Sequence, residues 1–575
     1  MEQRTSWQSI DQIDFTPRKQ MHPSPHDWRD HFIYFLLVDR FDDNKWRIPY
    51  WGSRKKRQQD IRKGIGVHGG NLKGVKSRLK YLKSLGITTI WLSPVFKNRV
   101  DQGGSLHGYA IQDFLEVDPH FGTKKDLCDL VDAAHRLGMY IILDIVINHT
   151  ADNWAYEGDA KPPFSTDGTR YPFGFWRSEH NSNELGPDDA VWPAELQDPD
   201  CYTRRGVIDN WNNATQAVQG DFFNLKDLDL NYLPTLKTLT AIYKYWIVET
   251  NIDGYRVDTV KHVDNEPSVK FFNAIKEFTE SIGKQNFLIF GEIVDGDAVI
   301  AKYVGNQTVN NEQIQALDAS LDFPLYFVLD EVIKRRLSPA ALRKRYEVMR
   351  DTYQHSDGSD LLVTFIDNHD QMSRPYHRFL FDAEDTRQAI LGVGYLLTTL
   401  GIPSIYYGTE QGFNGGGEAG AHQDNFIREC MFGGRWGAFG TRHWHFFNKR
   451  YRLYRAIAET AQVRATEPTL RYGRLYFREI SKDGVNFHYP ELNSGFLAFS
   501  RIHDDTEIVM VMNLRAETDT NHVMLDGVFS PPGTALVDLL DSGRTYLTTE
   551  GVNSSVVRIT LEPYGMVILK KEKRK

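Results

Sequence analysis

A chain of 575 residues that is 41% hydrophobic and 25% charged has enough apolar material for a large core, which excludes wholesale disorder and leaves room for one large domain plus a smaller one. Its net charge of −8 supplies no field that would gather nucleic acid or an anionic membrane, so neither is an expected partner. Three cysteines, Cys128, Cys201 and Cys430, exclude a disulfide framework and stand at no zinc-ligand spacing; with no apolar leader in the first twenty residues, the expected location is the cytoplasm.

In chain order, short apolar runs rich in β-branched and aromatic residues recur at 31–41, 87–95, 140–149, 252–260, 287–294, more weakly at 317–323, then at 361–369 and 402–408. Helical stretches fit between them. Residues 72–85 carry apolar side chains at helical spacing and stop at Gly86; residues 124–137 stop at Gly138 in the same way. Apolar strands alternating with helices predict a parallel sheet covered on both faces, and eight of them predict a closed (β/α)8 TIM barrel. The longest uncharged stretch, 388–408, approaches membrane-spanning length, but Gly401 and Pro403 divide it into a helix and a buried strand. Two basic clusters, Arg54-Lys55-Lys56-Arg57 and the tail from Lys570 to Lys575, read as solvated faces.

Between residues 150 and 221 the rhythm gives way to a segment rich in Trp, Pro, Asn and Gly, too long for a simple loop. This predicts a domain inserted after strand three. From residue 469 short alternating strands such as 496–501, 507–514 and 556–561 predict a C-terminal antiparallel β-sandwich. The expected division is therefore 1–149 and 222–468 for the barrel, 150–221 for the insertion and 469–575 for the sandwich.

Polar residues fall at the carboxyl ends of the predicted barrel strands, the edge where the βα loops of such barrels build active sites. The third run ends in Asp144, Asn148 and His149, the fourth in Arg256 and Asp258, the fifth in Glu292, and the seventh in Asp367, Asn368, His369 and Asp370. Charges at the ends of apolar strands are costly to bury unless paired. Two readings stand on this pattern alone: a structural ion-pair network, or a carboxylate pair for retaining glycoside hydrolysis, one attacking the anomeric carbon and the other moving the proton.

These four segments resemble the signature regions of the α-amylase superfamily of glycoside hydrolases. The likeness continues through Gly69-Gly70-Asn71-Leu72-Lys73-Gly74 to Ser93-Pro94, through Gly108-Tyr109 to Asp113-Phe114, and through Gly401-Ile402-Pro403 to Glu410, spanning about residues 31 to 420. The insertion corresponds to the superfamily's domain B. The resemblance implies that Asp258 is the nucleophile, Glu292 the general acid/base with a raised pKa, and Asp370 a third carboxylate favouring the oxocarbenium-like transition state. Arg256, two residues before Asp258 and so on the same strand face, would hold it ionised. His149 and His369 would bind hydroxyls of the reacting sugar, Tyr109 would stack beneath it, and Lys261 with His262 would contact the sugar beyond the cleaved bond.

The same resemblance implies calcium between barrel and domain B, with oxygens from Asn148, the backbone carbonyl of His262 and, as the domain B carboxylate, Asp221. Asp43 with Asn71 resembles a second calcium site of some members. In the segment 225–229, Lys226 stands where proline is more usual. The function implied is retaining hydrolysis of α-glucosidic bonds, α-1,4 in starch-like glucans or maltooligosaccharides. The alternatives are an α-glucan transglycosylase, an enzyme for α-1,6 or cyclic glucans, and a non-catalytic barrel that serves as a binding partner. The catalytic carboxylates are all present, which argues against the last. Oligomeric state is not set by the sequence.

Overall fold

A computed structural model of the chain describes residues 8–17, 19–49, 66–99, 107–178, 185–309, 312–353, 360–370, 377–416, 423–432, 444–551 and 554–572. The basic cluster at 54–57 and the last three residues of the basic tail lie outside them. Eight short strands form one sheet: β1 (Ile33–Leu36), β2 (Thr89–Leu92), β3 (Tyr140–Ile145), β4 (Gly254–Val257), β5 (Leu288–Gly291), β6 (Ala319–Ser320), β7 (Val363–Thr364) and β8 (Ile402–Tyr406). Every pairing is parallel, in the order β6-β5-β4-β3-β2-β1-β8-β7. A parallel bridge between Leu321 and Val363 closes the ring, so the barrel predicted from the apolar runs is the one observed.

Strand parity decides what fills it. Phe35, Trp91 and Tyr406 share the inner face; the Phe35 ring lies 3.8 Å from that of Trp91 and 5.3 Å from that of Tyr406. Alternate residues such as Tyr255 point outward, where its hydroxyl donates to the Tyr243 carbonyl of the covering helix Leu233–Thr250. Burial on both faces is why these strands read as continuous apolar runs.

The predicted helix at 72–85 is two pieces, Leu72–Ser77 and Leu79–Leu85, broken at Arg78 (φ −100°, ψ 3°), whose guanidinium lies over Phe447 and pairs with Asp42 at 2.7 Å. The other expected helix spans Lys124–Arg136, opened by a capping box between Thr123 and Asp126. The uncharged stretch forms the helix Arg387–Thr398 followed by β8. Gly401 between them has φ 96°, and a Cβ there would lie 2.5 Å from the Leu362 carbonyl, so only glycine fits. Among the described residues no helix is long and apolar enough to cross a membrane.

The insertion after β3 carries the hairpin Trp154–Tyr156/Phe173–Trp176 and the short helix Ala214–Gln219. Its two ends are tied by an antiparallel pair, His149 opposite Asp227 and Thr150 opposite Lys226. The C-terminal region is a nine-stranded antiparallel sheet from Arg474 to Lys571 that folds around its own core. Its longest strands, of 8 residues each, are β9 (Phe496–His503) and β10 (Thr506–Asn513). Phe496 and Ala498 face that inner core, while Leu497 and Phe499 join the core shared with the barrel, as a period of two requires. Arg501 of β9 seals the junction: it is buried and donates at 2.9 Å to the Thr398 carbonyl ending the helix Arg387–Thr398.

Candidate active site

The geometry grows from β4. Parity carries Arg256 and, one residue past the strand, Asp258 to the inner face of the barrel mouth. Arg256 is fully buried, and a buried guanidinium needs carboxylates. It has three. Nη1 donates at 2.8 Å to Asp144 Oδ1 and at 2.8 Å to Asp258 Oδ1, and Nη2 lies 2.8 Å from Glu292 Oε2. Asp144, on β3 beside Arg256, also accepts from Trp91 Nε1 at 3.0 Å and from the Tyr109 hydroxyl at 2.9 Å. One cation thus fixes the side chains that end β3, β4 and β5.

Three carboxylates round one cation cannot all ionise cheaply in a dry site. Burial, opposed by Arg256 and reinforced by Asp258 and Asp370, pushes Glu292 up to about 7. Burial likewise moves Asp144 to about 7 against the pull of Arg256. Asp258 is raised by burial, held back by Arg256. Asp370 goes the other way: burial works against its charge, but His369 and Arg428 hold its carboxyl far below the usual range. His369 Nε2 lies 2.9 Å from Asp370 Oδ2 and Arg428 Nη2 donates to Oδ1. The cluster therefore holds two carboxyls, Glu292 and Asp144, whose pKa is raised toward neutrality and one, Asp370, that is held ionised.

Thr259, directly after Asp258, adopts φ 47°, ψ 39°. A β-branched residue in the left-handed region is strained, and such strain gathers at functional sites. The turn brings the Thr259 amide to 3.3 Å from Glu292 Oε2 and its hydroxyl to 3.2 Å from Asp258 Oδ2, so one residue positions both carboxylates.

The residues expected to bind sugar surround this cluster. The rings of Tyr109 and His369 are parallel within 14° at 5.4 Å. His149 donates from Nε2 to the Tyr109 carbonyl at 3.2 Å and accepts at Nδ1 from the Asn148 amide at 3.2 Å, and burial lowers its pKa to about 4, so it is neutral with both nitrogens engaged. His262 is neutral for the same reason, its pKa lowered to about 4. Its Nδ1 donates to the Ala217 carbonyl at 2.7 Å, which leaves Nε2 as an acceptor. Lys261 donates to the Val294 carbonyl at 3.1 Å and stands 3.5 Å from Asp295. Lys261, His262, Thr259 and Glu292 line one cleft with Trp211, Phe222, Phe223 and Val294.

Sequence reasoning placed Asp144 at a strand end but gave it no role; its parity with Arg256 was the available signal. Arg428, 58 residues from Asp370, gave none. Trp91 read as barrel core and also donates to the cluster.

Calcium is the ion the resemblance implies beside this site. Among the described residues, neither the buried Asn148 Oδ1 nor Asp227 Oδ2 has a hydrogen-bond partner. The two residues are adjacent, since the Leu228 amide donates to the Asn148 carbonyl at 2.9 Å. Burial pushes the Asp227 carboxyl well above the usual range, offset in part by the Thr203 hydroxyl. Two orphaned hard oxygens of this kind fit a calcium ion. Asp221, expected as the carboxylate ligand, is instead occupied: Oδ2 accepts from the Tyr156 hydroxyl at 2.9 Å and faces Lys226 Nζ at 3.5 Å, and Oδ1 accepts from the Asp227 amide at 3.2 Å. Lys226 also faces Asp152 at 3.3 Å and already supplies Asp221 with a cation. The second expected site is consumed as well. Asp43 pairs with Arg47, and Asn71 Oδ1 caps the helix Leu72–Ser77 through the Gly74 amide at 2.9 Å. Among the described residues no group of three or more His, Cys, Asp or Glu gathers as a metal site.

The α-amylase catalytic domain model matches residues 35–471. The chain is 32% identical over 560 residues to an α-amylase of Streptomyces lividans, covering 87% of this chain and 56% of that protein. It is 27% identical over 529 residues to a cyclomaltodextrin glucanotransferase of Klebsiella oxytoca, covering 86% and 72%. It thus spans little more than half the length of the Streptomyces relative. The crystal structure of the α-amylase from Geobacillus thermoleovorans complexed with acarbose is similar with a TM-score of 0.68 at 27% identity, over 96% of this chain and 100% of that one.

Proposed function

We propose, from the premise that this chain belongs to the α-amylase family, that it cleaves α-glucosidic bonds, α-1,4 bonds of starch-like glucans or maltooligosaccharides, through a covalent glycosyl-enzyme. The observation that carries the proposal is the Arg256 bridge: one guanidinium 2.8 Å from both Asp258 and Glu292. It presents two carboxyls to one anomeric carbon. Asp258 Oδ1 is pinned by Arg256, so Oδ2, held among the described residues by the Thr259 hydroxyl, is the freer oxygen to attack.

As the C–O bond to the leaving sugar breaks, Glu292 gives its proton to the departing oxygen, and Asp258 forms the new bond to the anomeric carbon. Glu292, now a carboxylate, takes a proton from the incoming hydroxyl, which displaces Asp258 and restores the starting state. Asp370, ionised by its pairing with Arg428 and His369, supplies negative charge near the developing oxocarbenium ion. Tyr109 offers a ring face to the reacting sugar. A calcium ion held by Asn148 and Asp227 would brace the strand pair that ties the insertion to β3. The presence of all three carboxylates supports catalysis over a purely binding role.

The test is maltoheptaose digestion followed by proton NMR at early times. The α-anomer appears first if the anomeric configuration is retained. Asp258→Ala and Glu292→Gln each lower turnover by orders of magnitude in folded protein. Initial release of the β-anomer, or near-normal turnover by either variant, would refute the assignment.

A further inference from the structure

The segment before β1 runs from the insertion to the floor of the barrel. At one end the Ala194 amide donates to the Gln8 carbonyl at 2.8 Å, and Glu195 Oε1 accepts from the Ile10 amide at 3.1 Å and from the Ser9 hydroxyl. Farther along, Phe15 packs edge to face on Phe278 of the helix Asn265–Ser281, with centroids 6.1 Å apart. The other end lies at the amino ends of β3 to β5, on the face opposite the carboxylate cluster, where His22 stacks on His135 with ring centroids 3.8 Å apart and planes within 13°. Tyr140 flanks the pair, 5.6 Å from His22 and 6.5 Å from His135. The His22 amide donates to Asn251 Oδ1 at 3.0 Å, and its carbonyl accepts from Lys284 Nζ at 3.2 Å.

One carboxylate serves this contact. Asp253 is fully buried, with Oδ2 2.8 Å from His135 Nε2 and Oδ1 2.9 Å from Lys284 Nζ. Asp132, on the same helix as His135, pairs with Lys19 of the segment. Among the described residues no carboxylate pairs with His22. A proton on His22 therefore sets a cation against the imidazole that Asp253 already engages and beside the Lys284 ammonium. Burial, and after it the neighbouring His135, lowers the His22 pKa below its usual 6.5, against the attraction of Asp253. His31, 5.0 Å from the same Tyr140 ring, is pushed by burial down to about 4 and stays neutral.

We propose that residues 8–22 form a pH-released strap: protonation of His22 breaks the stack on His135, frees the segment from the barrel floor and unties the insertion at Ala194 and Glu195, while the barrel stays closed. Because the docked segment holds that proton less tightly than the released one, docking is strongest above about pH 6.5 and weakens by at most about tenfold for each unit below it. The insertion is thereby coupled to acidity from the face of the barrel that carries none of the catalytic carboxyls.

The experiment is hydrogen exchange of the full chain, read by mass spectrometry at pH 7.5 and 5.0 with intrinsic rates corrected for pH. Peptides covering 8–22 and 190–197 open about tenfold more at pH 5.0, under the ceiling of about thirtyfold that one proton sets between pH 6.5 and 5.0, whereas β3 to β5 keep their protection. His22→Phe and His22→Gln, which cannot take the proton, lose the difference between the two pH values. No rise in the wild-type strap peptides at pH 5.0, a rise of the same size in the barrel strands, or a wild-type difference that persists in either variant would overturn the proposal.

Discussion

The raised pKa of Glu292 sets a limit on activity at high pH that a choice of substrate can remove. Its shift from 4.5 to about 7 is worth about 3 kcal/mol, the excess of burial and of the Asp258 and Asp370 charges over the attraction of Arg256. Below about pH 7 the carboxyl carries the proton that a departing sugar needs; above it, each further pH unit removes about nine-tenths of the competent form. kcat/KM on maltoheptaose therefore falls about tenfold per unit on the alkaline side, with an apparent pKa near 7. Fluoride departs without a proton, and kcat/KM reports only on steps up to the first irreversible one. For α-maltosyl fluoride the same limb is absent. Glu292→Gln should lose about 10²–10⁴-fold on the oligosaccharide and far less on the fluoride. Equal alkaline limbs for the two substrates, or equal losses in the variant, would show that Glu292 is not the acid.

Other groups give separate tests. Glu410 is fully buried, with Oε1 accepting from the hydroxyls of Tyr81 at 2.8 Å and Tyr34 at 3.1 Å, and burial raises it to about 7. A carboxyl whose folded pKa is raised costs stability as pH climbs from its unfolded value through the folded one. Glu410→Gln should therefore gain about 3 kcal/mol over the wild type in urea unfolding at pH 8 relative to pH 4, and parallel pH profiles would refute it. Chelation should lower the melting temperature of the wild type and leave Asp227→Asn, already weakened in the metal site, much less affected; equal shifts would remove Asp227 from the site. Arg256→Met takes away the charge that holds both carboxyls down, so the residual activity should be lower by orders of magnitude while its alkaline limb moves above 7, and a limb moving downward would contradict the electrostatic account.

Much of the fold was legible because the barrel strands are buried on both faces and so spell apolar runs. β6 and β7 are two residues each, and the run for β6 is correspondingly faint in the sequence. The break at Arg78 was not legible, since helical spacing continues across it and the cause lies with Asp42 and Phe447, distant in the chain. At the site, the parity of Arg256 and Asp258 predicted their contact because a strand fixes side-chain direction by counting. Arg428 escaped because it reaches Asp370 from the loop after β8, where no periodicity constrains direction. The placement of Asp221 beside Lys226, with Asp227 beside Asn148, has the same origin. Six residues apart in a loop, the two look alike in sequence, and what separates them is the register that sets Thr150 against Lys226. That register places the ammonium by Asp221 and leaves Asp227 beside Asn148.

The catalytic carboxyls and the rings beside them have separate origins in the fold. Asp258, Glu292, Arg256 and Asp144 sit at the ends of adjacent barrel strands, joined through one guanidinium, so moving any of them disturbs backbone hydrogen bonds of a closed sheet. Trp211, Phe222 and Phe223 belong to or border the insertion and share no barrel strand. Their link to the chemistry runs through Phe222 against His262 and through the Ala217 carbonyl on the same imidazole. A change in the insertion can therefore reshape the aromatic wall without moving the strands that carry Asp258 and Glu292, whereas a change in β4 reaches both carboxyls through Arg256.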